Sequence, residues 1–300
     1  MSQTAKRLTT LLRSGGSGIY IPSQSLGAEL LTNGDFSNGL NSWTKLNDNG
    51  TTATITETAA NGSAGTGSAS YANSGSAVSL GLTQSVFSVG DYYEVGAELT
   101  AYTSGRLDVT MSSNAFFNLT SAKAARYIGR ASGTNLQPQV GGALPRTLTL
   151  DNLSVKKLTL SPEKTAPSED MDVSFLYTLP ASPLSGDSVW LPARISSFSS
   201  GNYWLVYLEY SGTQWNVYLY SVASHTRTQQ KTASNVGTTN GLRFYALGTT
   251  IRMYTTANSG TNWTQRDTDL TSSTYQSSVG YNAIYGSQFT PGALAYTAAT

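Results

Sequence analysis

The chain has one histidine, His225, set in the polar stretch SVASHTRTQQ. A Ser–His–Asp relay would have to run through it, yet neither a nucleophile-elbow motif nor an oxyanion glycine loop accompanies it. Glycoside hydrolysis asks for something else, two carboxylates flanking a sugar groove. Glu94 and Glu98 share one strand face, as do Asp267 and Asp269, but alternation produces that spacing on any solvated strand. No phosphate-binding loop is present. The absence of cysteine removes thiol catalysis, disulfides and Cys-based zinc sites together. The expectation is a protein that is not an enzyme.

Sugar binding needs different residues: aromatic rings for the apolar C–H faces, with Asn, Asp and Gln for the hydroxyls. In NYWLVYLEY, period 2 puts Tyr203, Leu205, Tyr207 and Glu209 on one face. Trp204, Val206 and Leu208 take the other, and across the turn Trp215, Val217 and Leu219 match them as core. Tyr203, Tyr207, Tyr218 and Tyr220 are left for a more exposed face and form the candidate glycan-binding set. Two other readings stay open: the face packs on another subunit or domain, or tyrosine simply suits strands. Nearer the start, Tyr92, Tyr93, Tyr102 and Tyr127 are further aromatics that no motif singles out.

The elements that must carry these residues are strands. Charged residues are 12% of the 300, hydrophobic residues 39%, and 18 Tyr, 5 Trp and 8 Phe supply apolar area for a core. Many Thr, Tyr and Val punctuated by Gly and Asn predict short strands and tight turns, and no long amphipathic helix appears. The expected fold class is all-β: two tandem antiparallel β-sandwich, jelly-roll domains behind a short N-terminal arm. The arm is 1–25, where Lys6, Arg7 and Arg13 surround Leu8, Leu11 and Leu12 at helical spacing. It reads either as a disordered tail or as an anchor that orders on docking.

Residues 26–159 form the first domain, with strands in YYEVGAELTAYT, RLDVTMS and RTLTLDNLSVKKLTL, and NGSAGTGSASYANSGSA as loop. In the last of these strands, Leu148 and Leu150 differ in parity from Leu153 and Val155. A bulge at Asp151–Asn152 would turn all four to one side. LSPEKTAPSED, 160–170, reads as a linker, and 171–300 as the second domain. There the hairpins turn at SGTQ and LGTT.

Two resemblances follow. ELLTNGDFSNGLNSW and LTLDNLSVKKL bracket a domain that resembles the carbohydrate-binding modules of the galactose-binding-like superfamily. That resemblance implies Phe36 and Trp43 as core anchors and terminal segments that meet in space. It also implies a structural calcium, with Asp35 and Asp151 as candidate ligands, although Ser37 stands where the family often has an acid. GNYWLVYLEYSGTQWNVYLYSV with GLRFYALGTTIRMYTT is similar to the laminin-G-like, concanavalin-like jelly rolls.

A net charge of +1 gives no steering to nucleic acid or anionic membrane, and no apolar run approaches 18 residues. LTTLL is too short for a signal-peptide core. The combination resembles a bacteriophage virion structural protein, assembled in the host cytoplasm and exposed on the virion surface. It would serve as capsid decoration, head or collar fibre, or tail adhesin. Its expected partners are other capsid or tail proteins, copies of itself in a homo-oligomer such as a trimer, and surface glycans. The alternative is a free carbohydrate-binding protein with no assembly role.

Overall fold

The computed structural model describes residues 18–20, 22, 24–58, 67–75, 78–111, 114–160, 162–166, 168–197 and 200–299. The arm residues Lys6, Arg7, Leu8, Leu11, Leu12 and Arg13 lie outside them. Among the described residues there are strands and turns and no helix, and every ladder is antiparallel. The chain divides into two compact units. One, the insert, is Ser25–Thr159 with Leu184–Asp187; the other, the frame, takes the described residues before Ser25, then 160–183 and 188–299.

The frame opens with β1 (Gly18–Tyr20). The insert then runs through β2 (Ser25–Glu29), β3 (Thr44–Leu46), β4 (Ala53–Glu57), β5 (Ala69–Asn73), β6 (Leu80–Ser85) and β7 (Tyr92–Ser104). It continues with β8 (Arg106–Met111), β9 (Asn114–Leu119), β10 (Ala124–Arg130), β11 (Asn135–Gly141) and β12 (Arg146–Thr159). One sheet is ordered β10-β7-β12-β5-β4 with β2 also on β12, the other β3-β6-β11-β8-β9. Ile55, Tyr71, Val95, Leu99, Leu148 and Leu150 from the first meet Leu80, Leu82, Leu107, Val109, Leu136 and Val140 from the second in one core.

The register of β12 against β7 shifts between Asp151 and Ser154, and Asn152 adopts a positive φ of 48°. Leu148, Leu150, Leu153 and Val155 are all buried as a result. The terminal segments do meet: β2 pairs with β12, and Leu153 N donates to Gly34 O at 2.9 Å. Phe36 and Trp43 are buried beside each other, ring centroids 5.8 Å apart, and Trp43 Nε1 donates to Asn33 O. The fit at Gly34 leaves no room for a side chain, since a Cβ there would lie 2.2 Å from the Leu153 carbonyl oxygen. Gly34→Ala should therefore cost roughly 1–3 kcal/mol by forcing the two backbones apart, read as a lower urea midpoint at unchanged slope.

The stretch 61–77 was expected to be loop throughout, yet Ala69–Asn73 is β5, paired on both sides by β4 and β12. Its inward residues are Ala69 and Tyr71, so the apolar alternation in sequence is carried by one large side chain.

The rest of the frame is β13 (Lys164–Thr165), β14 (Met171–Thr178), β15 (Ser188–Ser197), β16 (Asn202–Tyr210), β17 (Trp215–Ala223) and β18 (Thr226–Ala233). Then come β19 (Gly241–Leu247), β20 (Thr250–Thr256), β21 (Thr264–Gln265), β22 (Leu270–Thr271), β23 (Gly280–Tyr281), β24 (Ile284–Tyr285) and β25 (Thr290–Ala298). One sheet is ordered β1-β25-β14-β19-β20-β21, the other β13-β23-β15-β16-β17-β18. Two side attachments complete them, β22 on β20 and β24 on β15. Val173, Phe175, Phe244, Ile251 and Leu294 face Val189, Leu191, Trp204, Val206, Leu208, Val217 and Leu219 across a second core.

The hairpins turn where expected, with Tyr210 opposite Trp215 across Ser211–Gln214 and Leu247 opposite Thr250 across a turn whose Gly248 has φ 53°. Two segments differ from the sequence expectation. Gly18–Tyr20, expected in the arm, pair with Leu294–Tyr296 of β25, and Tyr285 Oη donates to Pro22 O. Lys164–Thr165, expected in a linker, pair with β23, and Ala166 behind them is buried.

Candidate functional site

The β15–β18 sheet buries one face in the frame's core and turns the other away from it. Backbone pairing sets what that second face holds. Trp190 of β15 lies opposite Tyr207 of β16, and Tyr207 lies opposite Tyr218 of β17. Leu205 pairs with Tyr220, and Glu209 with both Ser188 and Asn216. The rings form one layer: Tyr207 is 5.8 Å from Trp190, 6.0 Å from Tyr218 and 6.1 Å from Tyr220, while Tyr218 and Tyr220 are 5.7 Å apart. Separations of this size suit tilted and edge-on aromatic contacts.

Within this layer the four sequence-selected tyrosines differ. Tyr203 is 3% exposed and Tyr207 5%, whereas Tyr218 and Tyr220 are half-buried and can be touched from solvent. Two participants were missed in sequence. Trp190 comes from β15, 13 positions before Tyr203, and Arg227 comes from β18. The exposed guanidinium of Arg227 sits over Trp190, 4.1 Å from its centroid, and 5.0 Å from that of Tyr207. A cation on the face of a tryptophan is held by the ring quadrupole. The only signal for either residue was apolar alternation in SVWLPARI and a cation in an otherwise polar strand.

Glu209 is the carboxylate of the face. Burial pushes its carboxyl above the ordinary glutamate value, against the opposing pull of Arg227's charge and a hydrogen bond from Tyr207. Burial and the Glu209 charge also raise Tyr218, and Tyr220 is raised mainly by burial while Arg227 draws it down. Around them Gln214 Nε2 and Asn235 N both donate to Asn216 Oδ1. The folded state therefore favours protonated Glu209. Its contribution to stability is present at acid pH and lost as pH rises from the unfolded value of about 4.3 through the raised folded one. Glu209→Gln should flatten the dependence of the thermal midpoint on pH across that window, leaving the acid limb unchanged.

The remaining candidates are dispersed. His225 sits in the β17–β18 turn with φ 64°, its ring against Gly201, where a Cβ would meet Nδ1 at 2.2 Å. Glu98 accepts from Asn152 Nδ2, Asp269 is bidentate with Arg252, and Asp267 faces Lys231. Glu94 is buried and shares Arg126 with Asp187, the guanidinium lying 3.6 and 3.8 Å from the two carboxylates. Asp35 is exposed and caps its own turn, its Oδ1 accepting from Ser37 N and Oγ, which holds its carboxyl below the ordinary aspartate value. Asp151 is fully buried and accepts from Asn152 N. Among the described residues no group of three or more His, Cys, Asp or Glu is arranged to hold a metal. Of the two residues expected to hold calcium, Asp35 is thus exposed on its own turn and Asp151 is buried, both within the insert.

No known sequence family and no curated protein matches this chain. Solved structures do. One is a functionally unknown protein from Saccharomyces cerevisiae, 10% identical with a TM-score of 0.31, over 86% of this chain and 93% of that one. Another is the GH43 protein BlXynB from Bacillus licheniformis, 9% identical with a TM-score of 0.32, over 77% of this chain and 63% of that one. A mutant of the same protein matches with a TM-score of 0.33.

The expectation of a protein that is not an enzyme does not stand, a GH43 protein being among the solved structures that match. At such identities and scores they assign this chain no activity of its own. Physically, the expectation tested only carboxylates close in sequence. Folding brings together acids far apart in the chain, as Glu94 and Asp187 show.

Proposed function

We propose that this protein is an attachment protein displayed on a released particle, most simply a bacteriophage virion, and that it binds surface glycans. In this reading insert and frame are two jelly-roll β-sandwiches, and the basic segment that precedes Gly18 is the anchor to capsid or tail proteins. The displayed species is a homo-oligomer. The observation that carries the glycan reading is the outward layer of the β15–β18 sheet. There Tyr218 and Tyr220 present partly exposed rings 5.7 Å apart beside Glu209 and Asn216. A pyranose stacks its C–H face on such rings while carboxylate and amide groups take its hydroxyls.

The test is titration of the whole chain against a panel of bacterial surface polysaccharides, followed by tryptophan fluorescence through Trp190. Saturable binding to one class is expected, with Tyr218→Ala weakening it about tenfold or more, as loss of a central aromatic contact does. A folded protein that binds none of the panel would end the glycan reading. Absence from purified particles would end the display reading.

A further inference from the structure

The described arginines divide sharply by what their guanidinium groups do. Arg243 is bidentate on Asp172 and Arg252 on Asp269. Arg146 donates to Gly142 O and Val78 O, Arg194 to Glu169 O and Gly248 O, and Arg266 to Thr255 Oγ1. These are structural, each donating to oxygens of its own unit. Arg227 is exposed and pinned over Trp190 and Tyr207, and among the described residues no oxygen accepts a hydrogen bond from its guanidinium. Its planar set of five donors is held in place by the rings and left uncommitted.

We infer that the outward face of the β15–β18 sheet recognises an acidic polysaccharide, with Arg227 as the group that binds the sugar carboxylate. This rests on the glycan reading above and narrows it to a ligand class. A guanidinium that lies over an aromatic face directs its N–H groups outward along the surface, where the fork matches a carboxylate through two parallel hydrogen bonds. Tyr220, within electrostatic reach of Arg227, and Tyr218 beside it offer the stacking surface at the same place. A uronic acid carries both halves of the matching pattern: an apolar ring face, and a carboxylate projecting from the ring's edge.

Glu209 sets the limit on charge. It stands among the same rings, close enough to Arg227 for the two charges to interact, and can accept from sugar hydroxyls. One guanidinium beside one carboxylate suits a ligand with a single carboxylate per residue. It is a poor match for a sulfated or phosphate-dense polymer, whose charge would meet Glu209 as well. The chain's net charge of +1 adds no general attraction for polyanions, so the discrimination has to be local.

The experiment compares polygalacturonate with the same polymer after its carboxyls have been reduced to primary alcohols. Both are titrated into the full chain at low and physiological salt. Polygalacturonate is expected to bind about tenfold to a hundredfold more tightly than its reduced form, the range for a charge-assisted bidentate contact. Arg227→Gln should abolish that preference, bringing polygalacturonate down to the level of the reduced polymer, and Arg227→Lys should restore only part of it, since lysine lacks the fork. Matching circular dichroism spectra and melting temperatures establish that the variants are folded.

Equal binding of the two polymers by the unaltered chain, lost in Tyr218→Ala, would overturn this inference and leave the glycan reading standing. Binding of neither polymer overturns the inference; binding of no member of the wider panel overturns both. Tighter binding to poly-L-glutamate than to polygalacturonate would overturn it too, and would give the face to an acidic protein surface.

Discussion

Trp204→Ala should unfold the frame at temperatures where the insert remains folded. Trp204 is the largest fully buried side chain among the described residues, 1% exposed, and it belongs to the core between the two frame sheets. Truncation of a buried tryptophan costs about 3–5 kcal/mol through lost transfer energy and the cavity left behind. The indole Nε1 also donates to Thr274 O at 2.9 Å, so the substitution strips a partner from a carbonyl in the β22–β23 segment. The cores of insert and frame have no residue in common, and on that basis the damage stays in one unit. A thermal scan by near-ultraviolet circular dichroism should turn from one transition into two, the lower accounting for loss of the frame aromatics. A single cooperative transition shifted as a whole would show that the units do not melt separately.

Arg126→Met should destabilise the insert by about 3–5 kcal/mol at neutral pH, and by much less in acid. The substitution leaves Glu94 and Asp187 buried without a countercharge, which is the costly way to break a buried ion network. Asp187 has a side chain with no exposure, and burial raises its carboxyl above the ordinary aspartate value. A hydrogen bond from Leu184 N and the Arg126 charge work against that rise, and Glu94 adds to it. The native state thus favours protonated Asp187, and this contribution is present in acid and lost as pH climbs from about 3.9 through the raised value.

Without Arg126 the uncompensated charge grows over the same interval, so the gap between variant and parent should widen from acid toward neutral pH. Replacing all three together, with Glu94→Gln and Asp187→Asn added, should recover most of the loss. Urea denaturation at two pH values decides it. A gap that does not change with pH would mean that packing of the arginine stem, and not charge, is what the site supplies.

Alternation made much of the frame readable. In NYWLVYLEYSGTQWNVYLYSV, two strands with opposite faces of aromatic and aliphatic residues meet at a polar turn. The six residues assigned to the core, Trp204 to Leu219, all lie in it. Chain-local reasoning works there because the hairpin is itself local. It failed for β5, where ASYAN carries its alternation on Ala69 and Tyr71 inside a run of Ser, Gly and Asn. That strand is selected by the flanking β4 and β12 and not by its own propensity.

The same limit applied to the outward face. Period 2 groups Tyr203 with Tyr207 and Tyr218 with Tyr220, but which rings reach solvent depends on the neighbours that β15 and β18 bring. Trp190 and Arg227 arrive through sheet order, which periodicity does not encode. The Glu94–Arg126–Asp187 cluster is invisible for the same reason, its third member lying 61 positions beyond the second.

The placement of β1 on β25 governs how the polypeptide can be cut. A clone beginning at residue 160 would lack Gly18–Tyr20 and the Pro22 and Gln24 contacts to Tyr285, leaving the full length of β25 as an open sheet edge. Open edges of that kind recruit strands from other molecules, so such a fragment is expected to aggregate. The insert is a different case. Ser25 pairs with Thr159, so its two ends emerge side by side, as in a cassette that can be lifted out or transplanted into a loop of another host. What such a cassette would forfeit is Leu184–Asp187, and with it the acid that Arg126 faces.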